Sequence, residues 1–260
     1  MSIITLKSNG YLDYFPNNKP SDFTVKIPNL ASIGHNLEVS LNEITFPSGF
    51  INVRNGYNKI DVILAIDEGE ELTVDEITEM PWIKFEIEPN FYKPTLLIDK
   101  INLKIDNFFA VQIELSEEDN RAWITANKKI RIKFGLDIAK ILGFNSGEWL
   151  TFDGEKIISP NQTGAYKNMS LINVYCDVVE ESLIGENQHQ LLRLVNWNYT
   201  EHNDFVFNPS LVLYSRPYFV PVKDSNVNSI EIKITDSLNI PVEFSGSGPV
   251  VIILEVRKRV

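Results

Sequence analysis

Cysteine occurs once in these 260 residues, at Cys176. A single thiol excludes an internal disulfide and any zinc site built from cysteines. Histidine is scarce as well: His35, His189 and His202 show no metal-ligand spacing. Cations are in deficit, with 24 Lys and Arg against 35 Asp and Glu, a formal charge of −11. Displacing counterions from nucleic acid needs a cationic surplus, so a broad nucleic-acid footprint is not expected. No apolar run approaches the roughly eighteen residues of a membrane span. Met1–Ser8 lacks the charged region and apolar stretch of a secretory signal. The expectation is a protein made inside a cell and not secreted, in which the Asn-x-Ser/Thr triplets starting at Asn161, Asn168 and Asn198 are chance.

Catalytic signatures are missing too. There is no glycine-rich phosphate loop, no serine elbow and no dinucleotide fingerprint. Cys176 stands in an alternating run with Ile172, Val174 and Val178, the setting of a small buried hydrophobe and not of an exposed nucleophile. The carboxylate pairs Glu117–Glu118 and Glu180–Glu181 are sequence neighbours, whereas glycosidase chemistry needs carboxylates facing each other across a cleft. Asp67–Glu71 reads as a solvated acidic turn, since Asp67 to Asp75 lacks calcium-loop spacing. No catalytic, cofactor or metal residue is nominated, and no enzymatic activity or cofactor is expected.

What is present is β periodicity. Phe23, Val25 and Ile27 alternate with polar residues, as do Leu37, Val39 and Leu41. The apolar parity then slips by one, to Ile44 and Phe46, which predicts a β-bulge. Further strands are expected at Ile60–Ile66, Ile83–Ile87, Leu171–Val179, Gln190–Val195 and Ser229–Thr235, then at Val242–Phe244 and Val250–Val256. The basic end Arg257-Lys258-Arg259 reads as a solvated tail. In the middle, Leu97, Ile101, Ile105 and Phe108 recur at helical spacing, and Leu136–Leu142 forms a second short helix ended by Gly143. With short strands at Val111–Leu115, Ala122–Thr125 and Ile130–Phe134, these mark approximately residues 90–150 as an inserted α+β block. Trp197, Tyr199, Phe205 and Phe207 sit in an irregular aromatic connection, suited to subunit packing or to stacking on a ligand.

Several blocks carry a family resemblance. They are Tyr14-Phe15-Pro16-Asn17-Asn18, Phe23-Thr24-Val25-Lys26-Ile27-Pro28 and Leu37 to Pro47, followed by Ile141-Leu142-Gly143-Phe144, Val174 to Val179, Ile184-Gly185-Glu186 with Leu191-Leu192-Arg193, and Tyr218-Phe219-Val220-Pro221. Their order and spacing resemble the minor capsid (penton) proteins of Polinton/Maverick elements, adintoviruses and virophage-like viruses, over nearly the whole chain. The resemblance implies a mainly β protein, with residues 1–260 forming a single jelly-roll antiparallel β-sandwich that carries the small α+β insertion. It also implies a virion capsid location, a homopentamer at the fivefold vertex of an icosahedral shell, and a double jelly-roll major capsid protein as partner. On that reading Trp197, Tyr199, Phe205 and Phe207 are the candidate assembly interface. The alternative is a β-sandwich binding module such as a lectin-like attachment protein.

Overall fold

The computed structural model describes residues 1–47, 49–64, 83–109, 111–127, 129–165, 171–196, 210–246 and 248–259. The acidic turn at Asp67–Glu71 and the aromatic group Trp197, Tyr199, Phe205 and Phe207 lie outside them. The chain forms two compact units, one made of Met1–Phe50 with Asn168–Val260, the other of Ile51–Lys167.

The first unit begins with β1 (Ser2–Lys7), β2 (Asp22–Lys26) and β3 (Leu37–Phe46). The second unit follows with β4 (Lys59–Leu64), β5 (Ile83–Glu86), α1 (Pro94–Phe109), β6 (Val111–Leu115) and β7 (Ala122–Ala126). It continues through β8 (Ile130–Phe134), α2 (Leu136–Leu142), β9 (Leu150–Phe152) and β10 (Ile157–Ile158). The first unit resumes with β11 (Leu171–Cys176), the hairpin of β12 (Ser182–Ile184) and β13 (Asn187–His189), and β14 (Leu191–Asn196). It ends with β15 (Ser210–Leu213), β16 (Val220–Pro221), β17 (Ser229–Thr235) and β18 (Val251–Lys258).

The first unit is an antiparallel sandwich. One sheet runs β1-β18-β3-β15, with β16 further along the same edge of β3; the other runs β2-β17-β11-β14. Leaving aside the hairpin and two-residue β16, the strands count one to eight along the chain, and the sheets read 1-8-3-6 and 2-7-4-5. That is the jelly-roll order, in which each sheet takes strands from distant parts of the chain. Alternation supplies the core. Leu6 of β1, Phe23 and Val25 of β2, Ile172, Val174 and Cys176 of β11, Ile230, Ile232 and Ile234 of β17, and Ile252, Leu254 and Val256 of β18 are all buried.

The parity slip in β3 is a bulge. Glu43 pairs with Ile253 and Leu41 with Leu254, so Asn42 is the extra residue. It lets Leu37, Val39 and Leu41 before it, and Ile44 and Phe46 after it, all face the core. Without the extra residue, one half of the strand would turn its apolar set to solvent.

Other expectations change. Val242–Phe244 forms no strand: Val242 donates its N–H to Ile234 and Phe244 makes an isolated bridge to Phe50, so the segment serves the crossing between sheets. The basic end is not a frayed tail. Arg257 pairs with Glu38 within β18, its guanidinium lies 3.5 Å from the Phe219 ring centroid, and the Arg259 N–H reaches Asn36 O at 2.8 Å. Several strands of this unit were not expected from the sequence: β1, the β12–β13 hairpin, β15 and the two-residue β16. β1 shows just one fully buried residue, Leu6, and β15 sits in the stretch read as irregular.

The second unit is wider than the block at 90–150, because β4 pairs with both β5 and β8 in a sheet ordered β5-β4-β8-β9. A second sheet runs β10-β7-β6. Helix α1 has the stripe expected of it: Leu97, Ile98, Ile101 and Ile105 are buried while Leu103 is exposed. The Asn102 side chain bonds both the N–H and the carbonyl of Ile113, clipping α1 to the edge of β6. Helix α2 ends at Gly143, left-handed with φ 82°, and a side chain there would collide with the Asn161 carbonyl.

The core of this unit encloses an ion pair. The Asp137 carboxylate accepts from the Arg54 backbone N–H at 2.9 Å, from Nε at 2.9 Å and from Nη2 at 2.6 Å, with both side chains buried. Arg54→Met would leave that carboxylate buried without its cation, and the expected loss is about 3–5 kcal/mol in denaturant unfolding. Replacing both partners with apolar residues is expected to recover most of it.

Candidate functional site

Reactive side chains come first. Cys176 ends β11 facing the core, and burial pushes its thiol up to about 12, too high for a thiolate nucleophile at neutral pH. His189 approaches β11 on the face opposite the Cys176 thiol. Its ring packs 5.7 Å from that of Tyr175, whose side chain points to the other face of the strand. His35 is exposed, with Nδ1 3.4 Å from Ser225 Oγ, and His202 lies outside the described residues. Glu117 and Glu118 are exposed in the β6–β7 turn, and Glu180 and Glu181 at the base of the β12–β13 hairpin. Among the described residues no group of three or more His, Cys, Asp or Glu side chains could hold a metal ion. No helix among them is long and apolar enough to cross a membrane.

The polar features that do exist organise strands. The Asn18 amide donates to the Thr24 carbonyl and accepts the Thr24 N–H, both at 2.9 Å, so the β1–β2 connection covers the free edge of β2. Asn173 and Tyr175 both donate to Asn239 Oδ1, at 3.2 and 2.8 Å, and anchor the crossing loop whose Asn239 is left-handed at φ 61°. Asp177 accepts the Glu231 N–H at 2.8 Å. Burial, with the Glu231 carboxylate nearby, holds the Asp177 carboxyl above the ordinary aspartate range.

One flank of the sandwich is built from β14 and β15, joined across the sheets where the Arg193 guanidinium lies 4.0 Å from the Tyr214 ring centroid. Residues 197–209, with the four aromatics nominated from sequence, connect these same two strands. That connection lies outside the described residues.

Solved structures similar to the chain include two from virophages. The crystal structure of the selenomethionine-labelled mavirus penton protein matches over 99% of this chain and 98% of its own, at 12% identity and a TM-score of 0.44. A chain of the Sputnik virophage structure, determined by cryo-EM, matches over 99% and 98% at 10% identity, again with a TM-score of 0.44. No family model and no curated protein matches.

Sequence reasoning missed the Arg54–Asp137 pair, since neither residue stands in a recognisable motif and only the fold brings them together. It also missed Leu211 and Leu213, although Ser210-Leu211-Val212-Leu213 is a short alternating run.

Cys176→Ser is expected to cost about 1–2 kcal/mol in thermal or urea unfolding, for a polar group placed in a packed core. Native Cys176 should resist iodoacetamide until the protein unfolds. Asp177→Asn keeps an oxygen for the Glu231 N–H and removes a charge that folding disfavours. A carboxyl raised in the native state makes the wild type gain stability as pH falls through its native titration. The variant should therefore be the more stable at pH 7, with the difference gone below about pH 3, where the carboxyl is protonated in both states. Urea midpoints across that range measure it.

Proposed function

We propose that the chain is a structural minor capsid protein, whose jelly roll forms the vertex of an icosahedral shell as a homopentamer. The observation that carries this reading is the strand order 1-8-3-6 against 2-7-4-5, with a second compact unit inserted between strands three and four. Jelly rolls recur in capsid and lectin domains, and the sequence blocks from Tyr14 to Pro221 favour the capsid branch. The reactive groups agree with a scaffold: the thiol is buried and protonated, and the carboxylate pairs are exposed in turns. On this reading the protein resides in the virion capsid, the major capsid protein flanks it, and the 197–209 aromatics contribute to the joint between copies.

A formal −11 on each subunit makes five copies repel one another. Pentamers are expected to be weak at low ionic strength and to strengthen as salt shortens the Debye length to roughly 10 Å at 0.1 M. Analytical ultracentrifugation over a salt series tests this. A monomer at every salt and protein concentration, with no incorporation on co-expression with the major capsid protein, sinks the vertex role.

A further inference from the structure

We infer that the gap between β14 and the end of β15 is a binding site for a carboxylate, held by the Arg193 guanidinium and the Tyr214 hydroxyl. Strand alternation puts both side chains there. Arg193 pairs with Val174 across the strands, and Tyr214 stands two residues after Val212, which pairs with Ile44. Val174 and Ile44 are fully buried, so Arg193 and Tyr214 point between the sheets, each from the last strand of its sheet among the described residues. Inward positions of a sandwich ordinarily carry apolar side chains. An arginine in that place calls for a counterpart.

The pair lacks an acceptor. Arg193 Nη1 and Tyr214 Oη are both buried, and neither has a hydrogen-bond partner. The guanidinium lies over the ring face, 4.0 Å from its centroid, so it does not donate to the phenol oxygen in the ring plane. Among the described residues Arg54, Arg121 and Arg257 each meet a carboxylate, and Arg193 meets none. Buried polar atoms in native proteins are nearly always satisfied, by protein, water or a ligand.

The chemistry of the two groups selects the ligand. A guanidinium offers only donors. Burial holds the Tyr214 phenol above its ordinary value, against the lowering effect of the Arg193 charge, so its O–H stays a donor at neutral pH. Converging donors beside a positive charge fit an oxyanion. One cation balances the single charge of a carboxylate, whereas a phosphate near −2 exceeds it. Val174 and Val195 stand beside Arg193 on the same inward face, a setting in which charge-assisted hydrogen bonds are strong. A small free acid and an acidic side chain of another protein present the same group.

The test uses the full-length protein with three probes: sodium acetate, a blocked pentapeptide with one aspartate, and its asparagine counterpart. The wild type should melt higher in acetate than in chloride at equal ionic strength, as a ligand of the native state requires. Titration calorimetry should show binding of acetate and the aspartate peptide, and none of the asparagine peptide. Arg193→Gln should weaken acetate binding at least tenfold and Tyr214→Phe at least threefold. Tyr214→Phe separates binding from folding: without ligand it should melt no earlier than the wild type, because it deletes a hydroxyl that has no partner. An aspartate peptide that binds more than tenfold tighter than acetate assigns the carboxylate to a protein partner, and a smaller ratio assigns it to a free acid. Equal melting in acetate and chloride, or acetate binding undiminished in Tyr214→Phe, would overturn the site, whichever way the assembly experiment falls.

Discussion

Burial of β18 between β1 and β3 is the contact on which the sandwich depends. β18 hydrogen-bonds along both sides, to residues Ser2–Lys7 on one and Leu37–Thr45 on the other, and points Ile252, Leu254 and Val256 into the core. Each such side chain contributes about 1.5–3 kcal/mol on burial. Among the described residues β1 has no other strand partner, so the first strand is held by the last. Ser8 extends the join, donating its N–H to the Val250 carbonyl and accepting the Val250 N–H at its hydroxyl oxygen. The bulge at Asn42 belongs to the same arrangement, because it keeps both halves of β3 facing inward beneath β18.

Free edges are the second constraint, and the molecule meets it with asparagine. Asn18 bonds both polar groups of Thr24 on β2, and Asn102 bonds both of Ile113 on β6. A side-chain amide sets an N–H donor beside a carbonyl acceptor, as a peptide does, so it ends a sheet without inviting another strand. β15 has no such clip among the described residues. That strand carries two outward leucines, Leu211 and Leu213.

Much of this was legible in sequence where one physical signal dominated. The parity slip after Leu41 located the bulge, the spacing of Leu97, Ile101 and Ile105 located α1, and Gly143 marked the end of α2. Legibility failed where the partner lies far along the chain. Nothing local says that Ser2–Lys7 pairs with Val251–Val256, or that Arg54 meets Asp137. Val242–Phe244 misled for the opposite reason: its short apolar alternation is strand-like, but its hydrogen bonds go to Ile234 and Phe50. The flank residues are harder still, because an exposed leucine acquires meaning only once its strand is known to be an edge.

The position of the inserted unit sets an order of events in time. β4 through β10 find their partners among themselves, so Ile51–Lys167 can close its own strands and core while Asn168–Val260 is still being made. The three strands made before it must wait. At about 5–20 residues per second of synthesis, roughly 10–40 s separate the emergence of β3 from that of β18. Through that interval β1 and β3 have no central strand to join, and their apolar faces are open to wrong partners and to chaperones. The molecule is finished from the inside of the chain outward, and its two ends meet last.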